Sequence, residues 1–112
     1  MIPATWIPHR RSDGELIGWI DIDIAAPLLV AYDRLGRALE TFEDWLEAEE
    51  ALEEIGLGFL MNRFDYRGHT VRVRHLDDSQ VIVTTAMTDA VGDVGEEFTL
   101  AFPPGAQLRE LR

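Results

Sequence analysis

Thr41-Phe42-Glu43-Asp44-Trp45-Leu46-Glu47-Ala48-Glu49-Glu50-Ala51-Leu52-Glu53-Glu54-Ile55-Gly56-Leu57 is the stretch that decides how this chain divides between helix and strand. Phe42, Trp45, Leu46, Ala48, Leu52 and Ile55 recur every three or four residues, the period that lines one face of an α-helix. The carboxylates fill the other face. Thr41 offers an oxygen to cap the first turn, and Asp44 three residues on gives a capping-box-like pair. Glu43, Asp44 and Glu47 favour the positive end of the helix dipole, whereas Glu53 and Glu54 oppose it at a cost of about a few tenths of a kcal/mol each. Gly56 supplies the left-handed residue that stops a helix, and Leu57 can fold back on Leu52. The spacing predicts one amphipathic helix over about 42–55.

The flanking sequence reads as strands. Before the helix, Thr5 to Arg11 is short and extended, with Pro8 marking an edge. Ser12-Asp13-Gly14 is a turn signal, and Glu15 to Ile24 alternates. Leu16, Gly18, Ile20, Ile22 and Ile24 share one face of that strand, and Ile17, Trp19, Asp21 and Asp23 the other. Leu28 to Tyr32 is a short apolar strand. Asp33-Arg34-Leu35-Gly36 has type I turn chemistry, and Arg37 to Glu40 returns. After the helix, Phe59 to Tyr66, His69 to Leu76, Gln80 to Ala86 and Phe98 to Phe102 read as strands. Arg67-Gly68 and Asp77-Asp78-Ser79 turn the chain between them. Consecutive hairpins imply antiparallel pairing. The expected fold is α+β: a mainly antiparallel curved sheet, or a small partly open barrel, of about seven short strands with one helix over it.

Length and composition bound the rest. The chain has 112 residues, which suits a single domain. It has no Cys, so disulfides, thiolate metal sites and cysteine nucleophiles are excluded. No signal peptide is visible, and the longest apolar run, Ile24 to Tyr32, is far short of the roughly 20 residues of a membrane-spanning helix. The expectation is a soluble, cytoplasmic protein. The formal net charge is −11, from 21 acids and 10 bases, and every base is Arg. Eight of the acids lie in the stretch from Glu40 to Glu54, which has no base at all. So negative a chain repels phosphate backbones, and nucleic acid is a disfavoured partner.

No residue pattern specifies catalysis. Gly-x-Ser-x-Gly, Walker and His-Glu-x-x-His motifs are all absent. The acidic helix face, with Glu43, Glu47, Glu50 and Glu54, is a candidate docking surface for a basic partner; otherwise it only keeps the protein wet. Trp19 shares a strand face with Asp21 and Asp23. If the alternation holds it is partly exposed and a candidate contact anchor, although packing is the favoured reading for it; Trp45 belongs to the core. Arg63, Tyr66, Arg72 and Arg74, with Phe64 and Arg67 interleaved, form a weaker candidate surface for single-stranded nucleic acid.

His69 and His75 are expected on one face of one strand, about 20 Å apart and too far to share a metal. Asp89 to Glu97 gathers four carboxylates without EF-hand spacing, so a solvated loop is the reading there. No cofactor and no metal are expected. Trp6-Ile7-Pro8-His9-Arg10-Arg11, Gly18-Trp19-Ile20, Asp33-Arg34-Leu35-Gly36-Arg37 and Asp44-Trp45-Leu46-Glu47-Ala48-Glu49 resemble small uncharacterised proteins of actinobacteria, which agrees with the Arg-only base content. That resemblance implies no activity and carries no functional residue. The leading expectation is a non-enzymatic module that binds another protein through the acidic helix face or a sheet edge. A small-molecule or catalytic pocket under the helix is the alternative, and single-strand binding the third.

Overall fold

The structure is a computed structural model and describes residues 2–86, 92 and 95–111. The chain forms two compact units, Ile2–Leu57 and Gly58–Arg112.

The first unit is a four-stranded antiparallel meander with a helix. Its strands are β1 (Trp6–Arg10), β2 (Leu16–Asp21), β3 (Leu29–Asp33) and β4 (Ala38–Phe42), paired in that order, and α1 (Trp45–Ile55) follows. Its turns are those the sequence signals. Gly36 N–H donates to the Asp33 carbonyl at 2.8 Å, and Asp33 Oδ1 accepts from the N–H groups of Leu35 and Arg37. The buried Asp33 carboxylate also takes the Arg37 guanidinium at 2.7 Å. Such a turn is closed twice, by backbone and by side chain.

Two local expectations change. The helix begins at Trp45, with Asp44 as its cap: Asp44 is extended (φ −125°, ψ 136°) and its carboxylate accepts from Leu46 N–H. Thr41 and Phe42 are instead held in β4, opposite Val30 and Leu29, so ladder pairing removes them from the helix. At the other end Gly56 has φ 60°, and its N–H closes the helix on the Leu52 carbonyl at 2.9 Å.

The simple alternation of β2 also breaks. His9 pairs with Gly18 and Arg10 with Leu16, so Ile17 is an extra residue in a bulge. A bulge turns the following pattern over. Ile17 thereby joins Ile20, Ala31, Ala48 and Leu52 in one buried cluster, with Trp45, Phe42 and Leu57 packed on it. Leu52 of the helix packs over Gly18. A Cβ there would lie 2.3 Å from the Tyr32 carbonyl oxygen and 2.9 Å from Leu52 Cδ2.

The second unit holds β5 (Phe64–Tyr66), β6 (His69–Leu76), β7 (Gln80–Thr84), β8 (Glu97–Ala101) and β9 (Arg109–Glu110), in the order β8-β7-β6-β5-β9. All pairings are antiparallel. Phe59 to Tyr66 is not one strand: Gly58–Met61 forms a 3-10 turn, and Asn62 N–H bonds back to the Phe59 carbonyl. Arg67 and Gly68 both have positive φ, 50° and 87°, which is the backbone of a tight two-residue hairpin. Asp77 Oδ1 gathers the N–H groups of Ser79 and Gln80 and the Ser79 hydroxyl, which shapes the next turn. Phe64, Tyr66, Val71, Val81, Val83, Leu100, Phe102 and Leu108 are among its buried residues.

The class is therefore α+β and antiparallel, as expected. One curved sheet or partly open barrel of about seven strands is corrected to two open sheets, with nine strands among the described residues. The physical reason is the helix itself. The chain leaves β4 into α1, and β5 finds its ladder partners in β6 and β9. Among the described residues, no helix is long and apolar enough to cross a membrane.

Candidate functional site

The carboxylates of α1 separate into two sets. Glu49 and Glu53, one turn apart, face β1 and bracket the His9 ring. Glu49 Oε2 lies 3.1 Å from Nδ1, and Glu53 Oε1 lies 3.7 Å from Nε2. The imidazole is mostly buried, with 12% of its side-chain surface exposed. Because the carboxylates sit at opposite edges of the ring, they cannot converge with one ring nitrogen on a single ion. No group of three metal-ligating side chains occurs among the described residues.

The second set is Glu43, Glu47, Glu50 and Glu54. Glu47, Glu50 and Glu54 share one face of α1, Glu43 lies just before the Asp44 cap, and all four are exposed. None of them forms a salt bridge with a described residue. The last turn of α1 carries no base to balance them. Leu46 and Ile55, 58% and 40% exposed, add apolar surface at the two ends of the helix. The stripe was legible in the sequence. The His9 contact was not, because it depends on how the hairpin lies across the helix.

Trp19 is packed, as the favoured reading had it: it is 2% exposed, which corrects its candidacy as a surface contact anchor. It stands across from Pro8 and Tyr32 in the ladder. The Trp6 ring lies 5.5 Å from it and stacks on Tyr32 at 3.9 Å, and the Arg34 guanidinium lies 5.2 Å from the Trp19 ring centroid. An aromatic layer thus covers the face that alternation left half open.

Asp21 on the same face is buried too. Its carboxylate accepts from the Asp23 and Ile24 N–H groups and from the Thr5 hydroxyl. Burial pushes this carboxyl up, but the three donors outweigh it and hold it below its ordinary value. Burial, with the Asp21 charge nearby, raises the Tyr32 phenol.

The basic and aromatic residues after the helix do not assemble a stacking platform. Phe64 and Tyr66 are buried, and Tyr66 packs on Phe98 with centroids 5.0 Å apart. Arg72 Nε donates to the Ala86 carbonyl at 2.7 Å, and Arg74 pairs with Glu97. Arg63 is exposed and borders a shallow depression with Asn62, Glu110 and Leu111. Arg67 lies over the Tyr66 ring at 5.3 Å. Bases need a free aromatic face, which this arrangement withholds.

The two histidines also part company. A register shift between Val73 and His75 leaves Arg74 as an extra residue in β6. His69 therefore meets Phe98, while His75 turns to the other face and bonds Asp77 at 2.8 Å. That contact, with the three donors from Ser79 and Gln80, holds the Asp77 carboxyl well below the usual carboxylate range. Arg74, His75, Gln80 and Ile82 outline a second shallow depression. Most of the acidic loop read at 89–97 lies outside the described residues; of its described carboxylates, Glu97 is taken by Arg74.

Compared with protein-family models, curated proteins and solved structures, the chain matches none, so the stripe on α1 stands as its candidate site on geometry and charge alone.

Proposed function

We propose that this protein is an interaction module whose α1 stripe docks on a basic surface of another protein. The observation that carries this reading is the set of exposed carboxylates, Glu47, Glu50 and Glu54 on one face of α1 with Glu43 just before its cap, which no cation among the described residues pairs. Like charges three and four residues apart destabilise a helix by about a few tenths of a kcal/mol per pair. Acids in the last turn oppose the helix dipole as well. His9 contacts Glu49 and Glu53 and none of these four. A partner bringing Arg or Lys to the stripe relieves them, and Leu46 and Ile55 offer it apolar contact.

The test is capture of partners by the immobilised protein from a nuclease-treated lysate, followed by binding of the identified partner at rising salt. At about 0.5 M salt the screening length falls to roughly 4 Å, and binding through the stripe should be lost. A variant with Glu47→Gln, Glu50→Gln and Glu54→Gln should keep its circular dichroism and lose the partner. Binding that survives both changes would rule the stripe out.

A further inference from the structure

Among the described residues, β8 is the sheet edge with the fewest of the devices that usually blunt one. It ends the order β8-β7-β6-β5-β9, and its sequence, Glu97-Phe98-Thr99-Leu100-Ala101, has no Pro and no charge at its centre. The other three edges are protected. β1 contains Pro8, β4 carries Glu40 at its midpoint, and β9 is two residues long. Prolines, edge charges and short strands are the usual guards against strand addition.

The ladder fixes which groups of β8 point outward. Thr85 N–H bonds the Glu96 carbonyl, and Phe102 N–H bonds the Ser79 carbonyl. Hydrogen-bonded pairs alternate in an antiparallel ladder, so Phe98 and Leu100 bond inward to Val83 and Val81. Glu97, Thr99 and Ala101 direct their N–H and C=O groups away from β7. No backbone bond from a described residue reaches them there, and their side chains are exposed.

We propose that β8 pairs antiparallel with β8 of a second copy of this chain, about a twofold axis beside Thr99, joining two five-stranded sheets into one of ten strands. The sequence is complementary to itself in that register. Thr99 stands opposite the partner's Thr99, a favourable cross-strand pair. Phe98 stands opposite the partner's Leu100, and Glu97 opposite the partner's Ala101. The two Glu97 carboxylates fall at opposite ends, roughly 14 Å apart along the strand at about 3.4 Å per residue. Each keeps its own Arg74. The same pairing at β4 would set Glu40 against the partner's Glu40. Symmetric pairing of β8 also closes this sheet to further growth, because only its two-residue β9 edges remain.

Strand pairing with little added apolar burial makes a weak dimer, with a dissociation constant on the order of 0.1 mM. Sedimentation velocity of the full chain between roughly 1 µM and 1 mM spans that range. The wild type should pass from monomer to dimer across it. Amide exchange at Glu97, Thr99 and Ala101 should slow as the dimer forms. Thr99→Lys, which sets two cations face to face, should stay monomeric with unchanged circular dichroism. Thr99→Pro should do the same, since the lost N–H points away from β7; if it unfolds, Thr99→Lys decides alone. A wild type that remains monomeric at the top concentration overturns the proposal. So does a dimer that Thr99→Lys leaves intact.

Discussion

Replacing Gly18 by Ala tests how the helix is seated on its sheet. The glycine is needed for space, since its φ lies outside the left-handed range. The added methyl would sit 2.3 Å from the Tyr32 carbonyl oxygen and 2.9 Å from Leu52 Cδ2. Leu52 can turn aside, but the carbonyl belongs to β3, the strand hydrogen-bonded to β2. An ordinary contact there requires about 1 Å of backbone movement in a close-packed interior. Overpacking of this kind costs typically 1–3 kcal/mol, and a rigid backbone obstacle places this site at about 3 kcal/mol or more. With a urea slope of about 1–1.5 kcal/mol/M for a chain of this size, the unfolding midpoint should fall by about 2 M. Gly14→Ala is the control. Its Cβ would meet nothing within 4 Å, but φ is +89°, so only backbone strain of about 1 kcal/mol is expected. If Gly18→Ala moves the midpoint no more than Gly14→Ala does, the close approach of the Tyr32 carbonyl to Gly18 is wrong.

Asp44→Ala should destabilise the protein by about 1 kcal/mol through loss of the helix cap. Thr41→Ala should have a smaller effect, because Thr41 is an exposed strand residue; the reverse order in thermal melts would return the cap to Thr41. Asp77 should remain ionised at about pH 3, where an unperturbed aspartate is mostly protonated. Its lowered value stabilises the native state above the unfolded pKa of about 3.9, and that contribution fades as pH falls through the native midpoint. The stability difference between wild type and Asp77→Ala should thus be flat above about pH 5 and shrink below about pH 4. A carboxyl NMR titration with its midpoint at or above 3.8 would contradict the hydrogen-bond assignment.

Local signals carried the reading where the chemistry is local. The helix period from Trp45 to Ile55, the stop at Gly56, the Asp33–Gly36 turn and the acidic stripe all depend on residues within a few positions of one another. Such features follow from spacing and backbone preference, so the sequence by itself determined the α+β class, the antiparallel hairpins and the placement of charge. Tertiary structure decided what needed a distant partner. The bulge at Ile17 brought that residue into the core cluster, the aromatic layer of Trp6 and Tyr32 buried Trp19, and the register shift at Arg74 separated His69 from His75. Pairing of β4 with β3 took Thr41 and Phe42 from the helix, and the two-residue β9 arose only because β5 offered it an edge. One inserted residue inverts every side chain beyond it, and a ladder bond forms only with the strand that happens to lie alongside. Neither is visible in a short window of sequence. The set Glu43, Glu47, Glu50 and Glu54 came from sequence; that His9 contacts Glu49 and Glu53 while these four face solvent came from the fold.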